Sequence, residues 1–257
     1  MKFQQIRSAT SIINYAGTRF LIDPMLSPKG SFPAFPMTPN DHLLNPTVEL
    51  PISVDEAINV DAVIVTHDHL DHWDDVAKQV IPKNKPLFVQ HGKDKATIEN
   101  LGFTDVRLLN DNSEYNGIKL IKTTGQHGSD EVMASPAGEL LAEVSGVVFR
   151  HHSEKTVYLA GDTIWNKHVE DSLNMHQPDI VILNAGDAQV LGFGSIIMNK
   201  EDVYKVHQAA PKATLIATHM EAVNHALLSR KNLLAFAVEK RMADKLFVPN
   251  DGETITF

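Results

Sequence analysis

Residues 66–72 read Thr-His-Asp-His-Leu-Asp-His, so three imidazoles and two carboxylates fall within seven positions. The stretch follows the apolar run Ala62–Val65, whose β-branched residues are typical of a strand buried on both faces. It precedes Asp74 and Asp75, which are typical of the first turn of a helix. The histidines are therefore predicted in a turn at the carboxyl end of a buried strand, where open α/β folds bind their ligands.

The chemistry that this spacing favours is metal binding. Neutral imidazole nitrogens and carboxylate oxygens suit a divalent ion such as Zn²⁺, and a His-x-His pair in a turn can direct two rings at one ion. Asp71 and His72 follow too closely to serve that same ion, so a second ion is expected nearby. The alternative is a polar strand-to-helix loop with solvated imidazoles, but three histidines and an aspartate at this spacing favour the metal site.

The composition predicts a globular protein that does not bind nucleic-acid polymers. A chain of 257 residues can bury a sizeable core, and we expect one domain over residues 1–257. The net charge of −9 and the lack of a Lys/Arg cluster argue against a face that follows phosphates. Because the sequence has no cysteine, a metal must be held by His, Asp, Glu or backbone oxygens.

The N-terminal sequence gives no indication of export. Residues 1–8 lack an apolar signal core, and no apolar run approaches the length of a membrane span. We therefore expect a cytoplasmic protein without membrane association, and a homo-oligomer is possible.

Four predicted strands end, at their carboxyl side, in histidine or aspartate. These potential ligands are the 67–72 group, His127, Asp162 and His219. Because strand ends in one sheet system point to a common rim, the scattered side chains are expected to converge there. Strands at both ends of the chain, with alternating strands and helices between them, favour two mixed sheets that face each other with helices outside.

Two other regions have clear patterns. Residues 140–150 are expected to pair with residues 156–160 as a hairpin. A long amphipathic helix is predicted over about residues 225–242.

Residues 24–51 are predicted to form a long loop. They contain seven prolines, and a loop of this length in a compact domain is usually a lid, a binding loop or a disordered insert. Phe32 and Phe35 would either cap an apolar substrate or anchor the loop to the body of the protein.

The stretch His67–His72 resembles the H-x-H-x-D-H signature of the metallo-β-lactamase-fold hydrolases. His127, Asp162 and His219 match the later ligands of that family in order and context, so the resemblance covers nearly the whole chain. It implies a four-layer αββα sandwich of two mixed β-sheets with helices on the outer faces. Residues 20–24, together with the histidine-rich stretch, resemble the branch that includes the ascorbate-6-phosphate lactonases.

The resemblance implies a binuclear site that shares one carboxylate. Its implied ligands are His67, His69 and His127 for one ion, Asp71, His72 and His219 for the other, and Asp162 as the bridge.

Several other polar residues are candidates for a place at the site. Gln90-His91-Gly92 repeats the triplet around His127, but His91 leads directly into a predicted helix and is the weaker candidate. Asp23 would either hydrogen-bond a ligand histidine or form a turn before proline. His225 is a candidate for proton transfer. Asp187 would either contact substrate or belong to a turn.

The predicted function is hydrolysis. Two ions that share Asp162 would share a water molecule and lower its pKa, so that hydroxide forms near neutral pH and attacks a carbonyl or phosphoryl centre. We predict a hydrolase of an ester-like bond in a small molecule, with a lactone or a phosphoester ranked first. Asp71 and His225 are the predicted catalytic residues. Zinc is the expected metal, and manganese or iron suits the same ligands.

Two other functions fit the same residues. A phosphodiesterase acting on nucleotides would use the same ions. A metal-binding sensor or partner-binding module would hold the metal with little turnover.

Overall fold

Two β-sheets of seven strands each form the centre of the structure, a computed structural model that describes residues 1–141 and 143–257. The strands in chain order are β1 (Lys2–Arg7), β2 (Thr10–Tyr15), β3 (Thr18–Ile22), β4 (Ala62–Val65), β5 (Leu87–Val89), β6 (Val106–Leu108), β7 (Glu114–Tyr115), β8 (Ile118–Thr124), β9 (Ser145–Arg150), β10 (Val157–Leu159), β11 (Ile180–Asn184), β12 (Gln189–Val190), β13 (Gly194–Ser195), β14 (Thr214–Thr218), β15 (Leu246–Phe247) and β16 (Thr254–Thr256).

Both sheets are mixed. The first has the order β16-β1-β2-β3-β4-β5-β6 and is antiparallel up to β3 and parallel from there on. The second has the order β15-β14-β11-β10-β9-β8-β7, with β15 to β10 parallel and β10 to β7 antiparallel. Strands β12 and β13 form a separate ribbon.

The helices connect strands and, in most cases, begin at a side chain that accepts a hydrogen bond from the first turn. In chain order they are α1 (Val54–Ile58), α2 (Asp75–Val80), α3 (Gly92–Asn100), α4 (Asp130–Met133), α5 (Pro136–Leu141), α6 (Lys167–His176), α7 (Lys200–Ala209) and α8 (Arg230–Glu239). Asp74 caps α2 and Asn199 caps α7 in this way, because an oxygen at the N-cap satisfies amides that lack a partner within the helix. In the part of the chain that the structure describes, no helix is long and apolar enough to cross a bilayer.

Strand β4 shows how the layers are built. Ala62 and Ile64 face the second sheet and pack in the cluster that contains Phe149. Val63 and Val65 face the opposite way and pack with apolar residues of α1, α2 and α3. The outer face of the second sheet packs on α6, α7 and α8 in the same manner. The layer order is helix, sheet, sheet, helix, which confirms the predicted αββα sandwich.

Two predicted elements are wrong in their extent. Residues 140 and 141 belong to α5 and not to the hairpin strand, because Pro136 at the first helical position favours a helix, and β9 begins only at Ser145. Ala142 lies outside the described residues. The helix predicted from residue 225 begins instead at Arg230, where the Ser229 hydroxyl accepts a hydrogen bond from the backbone of the first turn.

The carboxyl ends of four strands lie on the same side of the sandwich. Strands β8, β10 and β14 run in one direction in the second sheet, because β9 is antiparallel to both β8 and β10 and β14 is parallel to β11. Each is followed within a few residues by a histidine or an aspartate, as is β4 in the first sheet. Residues 24–51 form no helix or strand of their own apart from one bridge between Phe32 and Asn45, as predicted for a long loop.

We predict that Phe149→Ala lowers the free energy of unfolding by about 3–5 kcal/mol. The Phe149 ring is fully buried between the sheets, with its centroid 5.4 Å from Phe20 and 5.7 Å from Tyr15. Urea unfolding followed by circular dichroism measures the loss. Val238→Ala is the control, because that side chain is 69 % exposed on α8. Equal losses in the two variants would contradict a core between the sheets.

Candidate metal centre

Seven histidine and aspartate side chains meet where the four strands end. Within each of three triplets, the nitrogen and oxygen atoms that could bind a metal lie within 4.8 Å of one another. The triplets are His67, His69 and His127; His67, His72 and Asp162; and Asp71, His72 and His219. All seven residues are buried except His69, which is partly exposed. The structure therefore brings together every side chain that the sequence predicts as a ligand.

Asp162 lies at the centre of the group. Its Oδ2 is 3.2 Å from His72 Nε2, 3.5 Å from His127 Nε2, 3.7 Å from His219 Nε2 and 3.8 Å from His67 Nε2. The other oxygen, Oδ1, accepts a hydrogen bond from the side-chain amide of Asn184. One carboxylate oxygen is thus fixed by the protein while the other faces all four rings, as a bridging ligand requires.

The imidazoles contact each other through the nitrogens that face inward. His67 Nε2 lies 2.9 Å from His69 Nδ1, and His72 Nε2 lies 3.1 Å from His219 Nε2. Asp71 Oδ2 lies 3.2 Å from that same nitrogen of His219.

The opposite nitrogen of each ring lies within 3.2 Å of a polar atom, with hydrogen-bond alignment for every ring except His72. These pairs are His67 Nδ1 with Thr66 Oγ1 at 3.2 Å, His69 Nε2 with the Leu140 carbonyl at 3.0 Å, His72 Nδ1 with Asp23 Oδ2 at 2.9 Å, His127 Nδ1 with the Ile196 carbonyl at 2.8 Å, and His219 Nδ1 with Ser8 Oγ at 3.1 Å. Outer partners of this kind fix the tautomer of metal-binding histidines and increase their basicity.

Three residues of this arrangement have a strained backbone. Ser8, Asp23 and His219 all have positive φ, between 45° and 59°, a conformation that is unfavourable for these residues and is maintained by the surrounding contacts. The Ser8 carbonyl accepts hydrogen bonds from the backbone N–H of His219 and from the Thr218 hydroxyl. Gly186 is required beside them, because a Cβ there would lie 2.0 Å from the His219 carbonyl oxygen.

Two of the rings are held in the neutral form. Burial, followed by the neighbouring imidazoles of His72 and His69, lowers the pKa of His67 well below its ordinary value. Burial also lowers the pKa of His127 to about 4. Both rings therefore have a free lone pair at neutral pH, which is the form that binds metals.

For the other two buried rings, His72 and His219, neighbouring carboxylates have the larger effect on the pKa. Burial acts to lower the pKa of His72 and of His219, but Asp162 acts against it together with Asp71, and both pKa values are raised. Burial acts to raise the pKa of the two carboxyls, but His72 is the largest effect in the other direction, and both of these pKa values are lowered. The site therefore keeps its carboxylates ionised and favours positive charge between them.

The donor set fits divalent ions. Two ring nitrogens about 3 Å apart can share one proton at most, and such contacts occur between His67 and His69 and between His72 and His219. Each pair can therefore offer lone pairs to a metal once its shared proton is released, and the carboxylates of Asp71 and Asp162 beside the rings favour a cation there. Imidazole nitrogens and carboxylate oxygens are the ligands that Zn²⁺ and neighbouring transition metals prefer.

A cavity of about 330 Å³ opens beside this centre. The candidate ligands His69, Asp71, His127 and Asp162 line it together with His225. Its apolar walls come from the 24–51 loop, from α5 and from the region of the β12–β13 ribbon: Phe35, Pro36, Met37, Ala137, Leu140, Leu141, Val190 and Ile196. None of the described residues that line it is Lys or Arg. The cavity therefore suits an uncharged and largely apolar molecule.

Of the remaining residues that the sequence suggests for the site, two lie at the site and two do not. His225 lines the cavity, and its ring packs edge-to-face on Phe35 with centroids 5.0 Å apart. Asp23 Oδ2 lies 2.9 Å from His72 Nδ1, so the predicted proximity to a ligand histidine is present, but the alignment is not that of a hydrogen bond. His91 instead caps α3 and accepts a hydrogen bond from the backbone N–H of Asp94. Asp187 does not line the cavity, and its carboxylate accepts hydrogen bonds from the side chains of Ser195 and Gln189.

Most of the outer partners of the rings could not be predicted from the sequence. The Leu140 and Ile196 contacts use backbone carbonyls, which any residue has, so the sequence contains no signal for them. Ser8 and Thr66 are ordinary polar residues whose role depends on which strand ends meet. Only Asp23, a carboxylate at a strand end, has a chemical type that indicates such a role.

The fold and the site define the class of protein, and comparison with known proteins agrees. A family model for the beta-lactamase superfamily domain matches residues 18–220. UPF0173 protein YddR of Bacillus subtilis (strain 168) is 50 % identical, and the match covers the whole length of both chains. The chain therefore belongs to the beta-lactamase superfamily and, within it, to the UPF0173 family of metal-dependent hydrolases. The narrower lactonase branch stays a prediction.

Two solved structures are similar over their full length. An isothiocyanate hydrolase from Delia radicum gut bacteria is 46 % identical with a TM-score of 0.97, covering 100 % of this chain and 99 % of the other. A possible metal-dependent hydrolase from Veillonella parvula DSM 2008 is 45 % identical with a TM-score of 0.98 and the same coverage.

We predict that Asp23→Asn weakens metal binding by about 10- to 100-fold without unfolding the protein. Asparagine adopts positive φ readily, so the backbone at this position is retained, but the charge beside His72 is lost. Competition with a chromophoric chelator measures the affinity for Zn²⁺. Asp171→Asn, on an exposed part of α6, is the control. Equal affinities for all three proteins would contradict a role of Asp23 in supporting the metal centre.

Proposed function

We propose that this protein hydrolyses small, uncharged, apolar molecules with two divalent metal ions, and that isothiocyanates are the first class to test. One ion would be held by His67, His69 and His127 and the other by Asp71, His72 and His219, with Asp162 between them. Zinc is the expected metal, and manganese or iron suits the same donors. The observation that carries the proposal is an apolar cavity without Lys or Arg among its described lining residues, directly beside the seven candidate ligands.

The choice of isothiocyanates rests on two points. A protein of 46 % identity over the full length is an isothiocyanate hydrolase. Isothiocyanates are also small and uncharged, with an electrophilic carbon at one end and a side chain that is often apolar. Such a molecule can place the side chain against Phe35 and Leu140 and the electrophilic group beside Asp162.

The reaction needs a water nucleophile and a way to hold developing negative charge. Divalent ions at this centre would supply both, because they lower the pKa of a bound water and polarise the electrophile. In isothiocyanate hydrolysis the water oxygen bonds to the central carbon, the carbon–nitrogen bond breaks, and the nitrogen takes both protons, which gives an amine and carbonyl sulfide. The low pKa of Asp71 keeps its carboxylate ionised to accept a hydrogen bond from water, the catalytic role we propose for it.

His225 would act as a neutral hydrogen-bond donor. Burial lowers its pKa to about 4, so the ring carries one proton at neutral pH and no charge. A neutral imidazole that faces the cavity can donate its N–H to the sulfur or nitrogen atom on which negative charge develops. We favour this role over transfer of a proton from an imidazolium, because the imidazolium form would be scarce near pH 7.

The other substrates predicted from the sequence rank lower. A lactone is uncharged and fits the cavity, so it is the second class to test. A phosphoester or a nucleotide carries negative charge, which the described cavity lining meets with Asp68, Asp71 and Asp162 and with neither Lys nor Arg. The cytoplasmic location, the single domain and the possible homo-oligomer stay predictions from the sequence.

We expect the zinc-loaded protein to release carbonyl sulfide and amine from an uncharged isothiocyanate, and Asp162→Asn to abolish this activity. Amine release measured by chromatography and metal content measured by mass spectrometry test both points, with a ratio of two ions per chain expected. A carboxylate-bearing isothiocyanate of similar size is the matched control and should react poorly. Hydrolysis of lactones or phosphodiesters alone would overturn the substrate choice, and no turnover with any metal would favour a binding module.

We also predict that the His225 ring titrates with a midpoint near pH 4 and not near the ordinary value of 6.5. Because burial disfavours the charged form, the ring should stay neutral throughout the neutral range. The chemical shifts of labelled imidazole nitrogens, assigned with His225→Gln, measure the midpoint. The resonance of His152, which is exposed, is the internal reference. A midpoint near 6.5 would restore the proton-transfer role that the sequence suggests.

A further inference from the structure

We propose that Asn224 is a positioning residue for the reaction: it holds the 24–51 loop so that Phe35 packs on His225 and forms one wall of the cavity. The proposal rests on the proposed function of this site, and no motif in the sequence indicates it.

Asn224 makes six hydrogen bonds, all to the 24–51 loop. Its side-chain oxygen accepts from the Phe35 backbone N–H at 3.3 Å and from the Asn45 amide at 2.9 Å. Its side-chain nitrogen donates to the Thr38 hydroxyl at 2.8 Å and to the Pro39 carbonyl at 2.7 Å. Its backbone N–H donates to Asn45 Oδ1, and its carbonyl accepts from the Asn40 amide.

The bonds to Asn45 and to the Thr38 hydroxyl are buried, so water does not substitute for them, and the other three are partly buried. Asn224, Asn45 and Thr38 are at most 4 % exposed. Asn45 and Asn224 bond reciprocally, since each supplies an oxygen and a hydrogen to the other residue. Removing one partner would leave several buried polar groups unsatisfied, which is more costly than the loss of a single exposed hydrogen bond.

The loop has no helix or strand of its own, so contacts with the body of the protein place its apolar residues: Asn224 bonds the stretch around Phe35, and the Leu191 N–H donates to the Met37 carbonyl. Between Pro24 and Pro51 the described chain forms one isolated bridge and no helix or strand. Within this segment Phe35 and Met37 line the cavity. The backbone bond to Phe35 comes directly from the Asn224 side chain, so the position of this wall is coupled to residue 224.

His225 depends on the same contact. Its Nδ1 is buried and has no hydrogen-bond partner among the described residues, so hydrogen bonding at that atom does not set the orientation of the ring. The Phe35 ring packs on it edge-to-face, with the two planes at 71° and the centroids 5.0 Å apart. Asn224 is the residue before His225, and its side chain bonds the backbone of Phe35. It therefore influences the positions of both rings in this contact.

The segment that follows β14 therefore has three tasks. It begins with the candidate ligand His219 and ends with His225, and between them Asn224 holds the loop.

Thr47 is an anchor of the same loop outside the cavity, because its hydroxyl donates to the Glu221 carbonyl at 2.8 Å and its backbone N–H donates to the Ala222 carbonyl. It offers a matched control.

The first test is a double-mutant cycle on isothiocyanate hydrolysis. Asn224→Ala and Phe35→Ala are each expected to lower kcat by about 10- to 100-fold, since small misplacements of a catalytic group have effects of this size. If Asn224 acts through Phe35, the double variant should be about as slow as either single variant, with strong non-additivity. Asn224→Asp loses the donations to Thr38 and to the Pro39 carbonyl and places a carboxylate oxygen against that carbonyl, so it should lower kcat as well. Thr47→Val should leave kcat and KM unchanged.

The second test needs no substrate and separates failure of this proposal from failure of the proposed function. Hydrogen exchange of the zinc-loaded protein should be faster at residues 32–40 in Asn224→Ala and unchanged in Thr47→Val, with equal zinc content in all variants. Faster exchange without hydrolysis by the wild type would overturn the substrate choice and keep the role of Asn224 in placing the loop. Unchanged exchange, or additive effects in the cycle, would overturn the positioning role.

Discussion

The structure depends on keeping five imidazoles and two carboxylates together in a volume from which water is largely excluded. Like charges a few ångströms apart repel each other, and burying any charge or polar atom removes its contacts with water. Both effects are unfavourable in a protein interior. The fold compensates by supplying each ring with an outer polar partner and by fixing one oxygen of Asp162 through Asn184. The ionised carboxylates of Asp71 and Asp162 mark the place where divalent cations would be stabilised.

The two sheets make this concentration of polar groups possible. Strands β4, β10 and β14 bury apolar side chains on both faces and β8 does so on one face, so their ends are rigid and lie close together. Ser8, Asp23 and His219, in or beside the triplet of Asp71, His72 and His219, keep unfavourable backbone angles, and the packing of the sheets maintains them. Apolar burial along the strands thus stabilises the polar arrangement at their ends.

Much of the fold and of the centre could be predicted from the sequence, because the pattern there is local. Apolar runs of four to six residues gave the strands, and the histidine or aspartate after each run gave the seven clustered side chains. The helix expected from residue 225 was wrong, because residues 225–228 form backbone hydrogen bonds with residues 186–189 and the helix begins only after the Ser229 cap. The backbone carbonyls of Leu140 and Ile196 were not predictable, since their role depends on tertiary contacts alone.

The walls of the cavity are built differently from its reactive end. The candidate ligands are attached to strand ends, whereas the apolar lining belongs to a loop, to short helices and to a two-stranded ribbon outside the main sheets. Exchanging lining residues therefore changes few contacts of the central core. Directed evolution of this scaffold can alter which molecules enter while the reactive groups keep their geometry, so new selectivity should be obtainable at low cost in folding.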